Sequence, residues 1–340
     1  MSLLDQRKRP MRSLRLSVTD RCNARCKYCM PESEYVWLPK ERLLTFEELQ
    51  TLARVAIGQG VESIRLTGGE PLLRSDLPAL VQMLSDLGGL QDLALTTNGI
   101  LLAPIAASLR KSGLKRLTLS LDTLDRDRYA RFTGTDKLAD VLAGLRASQS
   151  AGFESIKMNT VAIRGFNDDE ILKMLRFAGR EQVELRFIEY MDVGGATQWS
   201  SGDVLPASEI LKVASKAFGG VETIPGRGSA PGQRYRLSNG QIFGVIASVT
   251  EPFCGNCDRA RITADGTLFT CLYGEKGTDL RSILRGPTGA SGVEDMLRHV
   301  WQNRRDQSAI ERSQLANRHA WVSVERLRLE PRLEMHTRGG

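Results

Sequence analysis

Histidine is scarce in this 340-residue chain: His299, His319 and His336 are its only imidazoles, and all three lie far from the cysteine run that begins at residue 22. A closed structural zinc site there would therefore lack local nitrogen ligands. Aromatic residues make up 6% of the chain, and no long Lys/Arg run occurs. That argues against a nucleic-acid binder, although a net charge of +7 and a pI near 9.2 would permit one. No stretch of about eighteen apolar residues is present to span a membrane. Met1 to Arg12 is charged and lacks an apolar signal segment, so a cytoplasmic location is expected. Cysteine is also sparse, with six residues. A disulfide framework belongs to small secreted domains, whereas a chain of this length buries a core without staples. Reduced thiols are the expectation. There is no low-complexity tract and no internal repeat beyond strand–helix alternation.

The cysteines that are present fall into two sets of three. Cys22, Cys26 and Cys29 stand within eight residues, in Cys22-Asn23-Ala24-Arg25-Cys26-Lys27-Tyr28-Cys29. Three thiolates fill three corners of a cubane iron–sulfur cluster and leave one iron open to a small molecule, while structural zinc takes four protein ligands. Cys254 and Cys257 are followed, after thirteen residues, by Cys271. A Cys-x-x-Cys pair is also a common zinc half-site. A composite zinc site from Cys26, Cys29, Cys254 and Cys257 is the competing arrangement, and it strands Cys22 and Cys271.

The first two-thirds alternates strands and helices. Strands are predicted at Leu14–Val18, Ser63–Leu66, Asp92–Thr96, Arg116–Ser120, Ile156–Val161 and Glu184–Glu189. Helices are predicted at Thr45–Gly58, Asp76–Leu87, Leu102–Lys111, Lys137–Ala151 and Asp168–Gly179. Thr45 and Glu48 form a capping-box pattern, and Asp168 and Asp169 suit a helix N-terminus. The alternation implies right-handed crossovers and a parallel sheet. Six units make an α/β fold of the incomplete (βα)6 TIM-like type, two short of a closed barrel.

Leu14-Arg15-Leu16-Ser17-Val18, Ser63-Ile64-Arg65-Leu66-Thr67 and Leu117-Thr118-Leu119-Ser120 alternate apolar and polar residues. Helices must cover the apolar faces, so the polar faces point inward. The interior is then lined by Arg15, Ser17, Arg65, Thr67, Thr96, Asn98, Ser120, Lys157, Asn159 and Arg186. Buried cations need partners, and the expected ligand is anionic.

Asp192 to Asp203 reads as a linker or lid, which divides the chain at 1–205 and 206–340. Beyond it a helix is predicted at Ser208–Phe218, and a hairpin joins Gln233–Leu237 to Gln241–Val249 through Ser238-Asn239-Gly240. Further helices are predicted near Thr278–Leu284 and Val293–Arg304, with Gly286–Gly292 between them as a flexible loop.

The first triad has the spacing of the radical S-adenosylmethionine (SAM) enzymes, and Thr67-Gly68-Gly69-Glu70-Pro71 resembles their glycine-rich SAM motif. Within that superfamily the chain resembles the GTP 3′,8-cyclases, the molybdenum cofactor biosynthesis protein A family. The resemblance runs through Leu14–Asn23, Arg65–Pro71, Leu95-Thr96-Thr97-Asn98-Gly99, Ser120-Leu121-Asp122, Arg186–Gly194, the Cys254/Cys257/Cys271 triad and the terminal Gly339-Gly340. It implies a radical SAM partial barrel and a C-terminal α+β domain carrying a second cluster. Cys22, Cys26 and Cys29 would hold one 4Fe–4S cluster that chelates SAM, with Tyr28, Gly69, Ser120 and Met191 as further SAM contacts. Cys254, Cys257 and Cys271 would hold a second 4Fe–4S cluster beside the guanine of GTP. Arg15, Arg65, Thr96, Lys157, Arg186, Arg259, Ala260 and Arg261 would contact GTP; Arg259, Arg261 and the Gly339-Gly340 tail would reach the reacting centre.

The resemblance further implies a low-potential electron donor, a downstream cyclic pyranopterin monophosphate synthase and a homodimer, with no nucleic-acid or membrane partner. Two rival functions remain. A peptide-maturing radical SAM enzyme usually has more cysteines in its auxiliary domain. A zinc-stabilised RNA-binding protein leaves the polar barrel lining unexplained.

Overall fold

The computed structural model describes residues 3–32 and 34–339. The barrel half runs β1 (Ser13–Ser17), α1 (Phe46–Gly58), β2 (Ser63–Thr67), α2 (Leu77–Ser85), β3 (Asp92–Thr97), α3 (Ala106–Lys111) and β4 (Arg116–Ser120). It continues with α4 (Arg126–Thr133), α5 (Leu138–Ser150), β5 (Ser155–Ala162), α6 (Ile171–Arg180) and β6 (Glu184–Glu189). Thr45 caps α1 with the expected box, accepting from the Glu48 amide while the Glu48 carboxylate accepts from the Thr45 amide. Each strand sends its apolar residues outward: Leu14, Leu16, Ile64, Leu66, Leu117 and Leu119 are buried against the helices. Burial of such side chains is worth about 1.5–3 kcal/mol each, which fixes the facing of every strand.

The rest of the chain adds α7 (Ala207–Phe218), β7 (Val221–Ile224), β8 (Gln233–Leu237), β9 (Ile242–Ile246), β10 (Arg259–Ile262), β11 (Thr267–Phe269) and β12 (Thr278–Asp279). Four helices follow: α8 (Leu280–Leu284), α9 (Gly289–Gln302), α10 (Ser308–Ser313) and α11 (Val324–Leu329). The strands form one sheet in the order β12-β11-β10-β1-β2-β3-β4-β5-β6-β9-β8-β7. From β10 to β9 every pairing is parallel. Six βα strands are thus flanked by two parallel strands from the C-terminal region, one on each side. Outside these, β11 and β12 on one edge and β8 and β7 on the other pair antiparallel.

Two expectations are corrected. The stretch expected as a flexible loop, Gly286–Gly292, holds the start of α9 at Gly289. There Gly292 is packed so tightly against Thr288 and Ile283 that a side chain would not fit. Glycine serves helix–helix approach at that point, not mobility. The stretch expected as a linker or lid is packed inside: Asp192, Val193, Ala196 and Trp199 are buried. The Trp199 indole donates to the Tyr190 carbonyl at 2.9 Å, and a side chain on Gly195 would run into the Cys29 carbonyl.

Candidate active site

Strand alternation opens a chamber of about 500 Å³. Arg15, Arg65, Thr96, Ser120, Lys157, Asn159 and Arg186 line it, as the inward faces predict. Ser17, Thr67 and Asn98 do not. The Ser17 and Thr67 hydroxyls pair at 3.4 Å, and both crowd against Gly339. The Asn98 amide instead donates to Asn23 Oδ1 at 2.8 Å and approaches Cys22 Sγ at 3.9 Å.

The cations are held in a graded way. Arg65 Nη1 donates to Thr96 and Thr118 hydroxyls, each at 3.1 Å. Arg186 donates to Asn159 Oδ1 at 3.0 Å. Lys157 is ion-paired with Glu184 at 3.0 Å, which also takes Arg234 at 2.9 Å. Burial, reinforced by neighbouring guanidiniums, pushes Arg65 down to about 9 and Arg261 down to about 10. Arg15 is lowered for the same reasons, burial first and then Arg261. The secondary, like-charge part of these shifts reflects guanidiniums crowded on one wall, which a polyanion would relieve.

β10 sets Arg259 and Arg261 on the chamber wall, while Ala260 between them faces the apolar core. Period-2 geometry turns its methyl away from the chamber. Arg261 pairs in register with Arg15 on β1, and both donate to the Gly339 carbonyl, at 2.9 and 2.7 Å. The tail is therefore seated inside the protein. Arg338 before it is buried over Phe269 at 4.1 Å. Gly340 lies outside the described residues.

The two cysteine triads sit in different electrostatic surroundings. Among the described residues all six thiols are free. In the first triad, burial pushes Cys22 up to about 11 and raises Cys26 and Cys29 as well; Cys22 further raises both Cys26 and Cys29. A bound metal would supply the positive charge that favours the thiolate form of such groups. Tyr28 lies between them in sequence and donates its hydroxyl to Asp122 Oδ2 at 3.2 Å, at the chamber wall. Ser120 and Met191 also reach the wall, and Gly69 does not. Gly68 has φ +149°, and a side chain on either glycine would strike the backbone of Thr19–Arg21. These glycines let the strand end close on the loop that carries the first triad, through Gly69 N–H to the Thr19 carbonyl and Glu70 N–H to the Arg21 carbonyl. The Glu70 carboxylate turns away to bind the Thr97 hydroxyl and the Asn98 amide, each at 2.7 Å.

In the second triad all three cysteines border the chamber. Burial pushes the Cys257 thiol up, yet the Arg259 and Arg304 guanidiniums outweigh it and hold the group at about 6. Cys271 is raised, chiefly by burial. Sequence reasoning missed Arg304, Asp122 and Arg9, whose Nη1 donates to the Cys254 carbonyl at 2.8 Å. It also missed Phe253, which lies under both Arg227 and Arg259 at 4.5 and 5.1 Å. Asp122 stood in the Ser120-Leu121-Asp122 match without being given a role, and Arg304 follows Trp301 at i,i+3 spacing, which permits the stack seen between them; Arg9 and Phe253 carry no local signal.

The partial barrel with three thiols beyond its first strand defines a radical SAM protein. Residues 16–178 match the Radical SAM superfamily. Solved structures agree on the fold: Streptococcus suis SuiB bound to S-adenosylmethionine superposes with TM-score 0.62 at 15% identity, over 89% of this chain and 68% of that one. Residues 183–310 match Molybdenum Cofactor Synthesis C. The chain is 48% identical to GTP 3′,8-cyclase 3 of Mycobacterium bovis over 98% of its own length and 89% of that protein's. It is 43% identical to GTP 3′,8-cyclase of Aquifex aeolicus, over 92% and 96%. The chain belongs to the GTP 3′,8-cyclase family. That family's radical SAM domain implies a 4Fe–4S cluster and SAM; the first triad offers three free, partly exposed thiols, while among the described residues no three His, Cys, Asp or Glu side chains are grouped closely enough to hold a single metal ion.

Among the described residues, no helix is long and apolar enough to cross a membrane.

Proposed function

We infer that this chain converts GTP to 3′,8-cyclo-7,8-dihydro-GTP, the first step of molybdenum cofactor biosynthesis, by radical SAM chemistry. The observation that carries this reading is a single cation-lined chamber bordered by a second set of three cysteines, with Tyr28, Ser120 and Met191 of the first triad's side on the same wall. Cys22, Cys26 and Cys29 would hold the 4Fe–4S cluster, which supplies the electron that splits SAM into methionine and a 5′-deoxyadenosyl radical able to remove the ribose 3′ hydrogen. Tyr28, Ser120 and Met191 contact SAM from the wall; Gly69 acts through the backbone fit that fixes the cluster loop.

Cys254, Cys257 and Cys271 would hold a second 4Fe–4S cluster, against which the guanine of GTP rests. Arg65, Lys157 and Arg186, with Thr96, neutralise and orient the triphosphate, since guanidinium forks match phosphate oxygens. Arg15, Arg259 and Arg261 gather round the reacting ribose and base, Arg15 and Arg261 meeting at the Gly339 carbonyl, and Ala260 contributes backbone only. Residues 1–205 then form the SAM half and 206–340 the auxiliary half of one site. A low-potential donor supplies electrons, a cyclic pyranopterin monophosphate synthase takes the product, and the protein works as a cytoplasmic homodimer.

Anaerobic incubation of the reconstituted protein with SAM, GTP and dithionite tests the assignment. A cyclised nucleotide and 5′-deoxyadenosine are expected together. Release of 5′-deoxyadenosine with GTP recovered unchanged overturns it.

A further inference from the structure

We propose that Arg304 tunes the iron–sulfur centre on Cys254, Cys257 and Cys271 by holding a guanidinium donor on the Cys257 sulfur. This rests on the reading that the second triad carries a cluster. Arg304 follows the end of α9. Its Nη1 donates to the Cys257 carbonyl at 2.9 Å and its Nη2 to Cys257 Sγ at 3.4 Å. Two further groups fix it there. Asp306 takes Nε at 3.0 Å and Nη2 at 3.0 Å, and the guanidinium plane lies over the Trp301 ring at 4.5 Å. The side chain is 1% exposed. Arg304 borders the chamber, but its N–H groups are directed at protein atoms.

The contrast with the first triad gives this arrangement its meaning. Cys22 Sγ takes its contacts from neutral groups, the Ala24 amide at 3.5 Å and the Asn98 side chain at 3.9 Å. Cys257 Sγ takes charged donors, Arg304 and Arg259, both at 3.4 Å. Adding one electron to a cluster places more negative charge on its sulfurs, so charged N–H donors favour the reduced form and raise the potential. Both arginines border the ligand chamber. Arg304 is committed to the cysteine and to its own supports, so it is a positioning residue that acts through Cys257.

The test is an EPR-monitored redox titration of the full chain, reconstituted anaerobically and titrated with dithionite, as wild type, Arg304→Gln and Arg304→Lys. SAM, which perturbs the first centre, tells the two signals apart. The wild type should hold about eight irons per chain. Arg304→Gln should keep them, with the second centre at least about tenfold harder to reduce at fixed potential, a shift of about 59 mV for one electron. The first centre should not move, and Arg304→Lys should fall between. An unchanged second midpoint at full iron content overturns the proposal, as does an equal shift of both centres. Loss of the second centre's iron in both variants makes Arg304 structural and likewise overturns it. Wild-type protein with iron for one cluster alone instead refutes the second-cluster reading.

Discussion

Arg15 and Arg261 stand side by side in register on two parallel strands that are about 245 residues apart in the chain, and both donate to one acceptor, the Gly339 carbonyl. Burial first, and then the guanidiniums of Arg261, Arg259, Arg65 and Arg186, lower the Arg15 pKa; a polyanion entering the chamber relieves that crowding of like charge. Triphosphate should therefore stabilise the protein even without SAM: at 100 times Kd the gain is about 2.7 kcal/mol, seen as a higher Tm. Arg65→Ala removes a charged donor worth about 1.5–3 kcal/mol and should weaken GTP binding about tenfold or more in calorimetry. A wild-type Kd in that variant would remove Arg65 from the triphosphate site.

Gly339 adopts φ +65°, and a side chain there would collide with the Thr67 and Ser17 hydroxyls. Gly339→Ala should unseat the tail, through left-handed strain of about 1–3 kcal/mol added to the collision. Product formation should fall at least about tenfold, while iron content and SAM binding stay at wild-type values. Full turnover in Gly339→Ala would show that the tail position is dispensable.

The same backbone logic applies to Gly69, with a different readout. Gly69→Val forces the β2 end away from Thr19–Arg21, and the first-triad loop follows. Iron per chain should drop by about half, from the first centre alone, because the second triad flanks β10 and β11. A variant that keeps both centres would mean that the loop is placed by contacts elsewhere.

What was legible in the sequence was whatever repeats over short distances. The period-2 strands β1 to β6 and their inward cations were readable because helices had to cover Leu14, Ile64 and Leu117. α4 escaped: Arg126–Thr133 is rich in charge with few apolar positions, and it is held as a helix by the Asp125 cap and by burial of Tyr129 and Phe132. The docking of β10 on β1 and β9 on β6 carries no local pattern, since each strand's partner lies far away in the chain. Asp192 shows the same limit most clearly. In a run of glycines it reads as linker, because the groups that explain it, Arg312 and Arg318, come 120 or more residues later.

Asp192 is the clasp of the C-terminal segment, and its chemistry predicts an acid transition. The carboxylate is fully buried. Arg318 binds both its oxygens at 2.7 and 2.9 Å, Arg312 Nε adds 2.6 Å and the Tyr273 hydroxyl 2.6 Å. Its backbone carbonyl accepts the Trp321 amide at 2.9 Å, and Trp321 packs edge-on to Tyr273. Burial raises the Asp192 pKa, but the bonds from Arg318, Tyr273 and Arg312 outweigh it, and the group ends below its ordinary value of 3.8. A depressed folded-state pKa means that the clasp contributes fully above the unfolded value and is lost as pH falls through the folded one. Trp321 fluorescence should accordingly hold steady down to about pH 4 and change below it. Asp192→Asn deprives Arg312 and Arg318, both partly exposed, of their carboxylate, at a cost of about 1.5–3 kcal/mol. In that variant residues 308–322 should exchange amide hydrogens faster at neutral pH, and the acid step in Trp321 emission should vanish. An acid step that survives in Asp192→Asn would assign it to another carboxylate and leave the clasp without its proposed trigger.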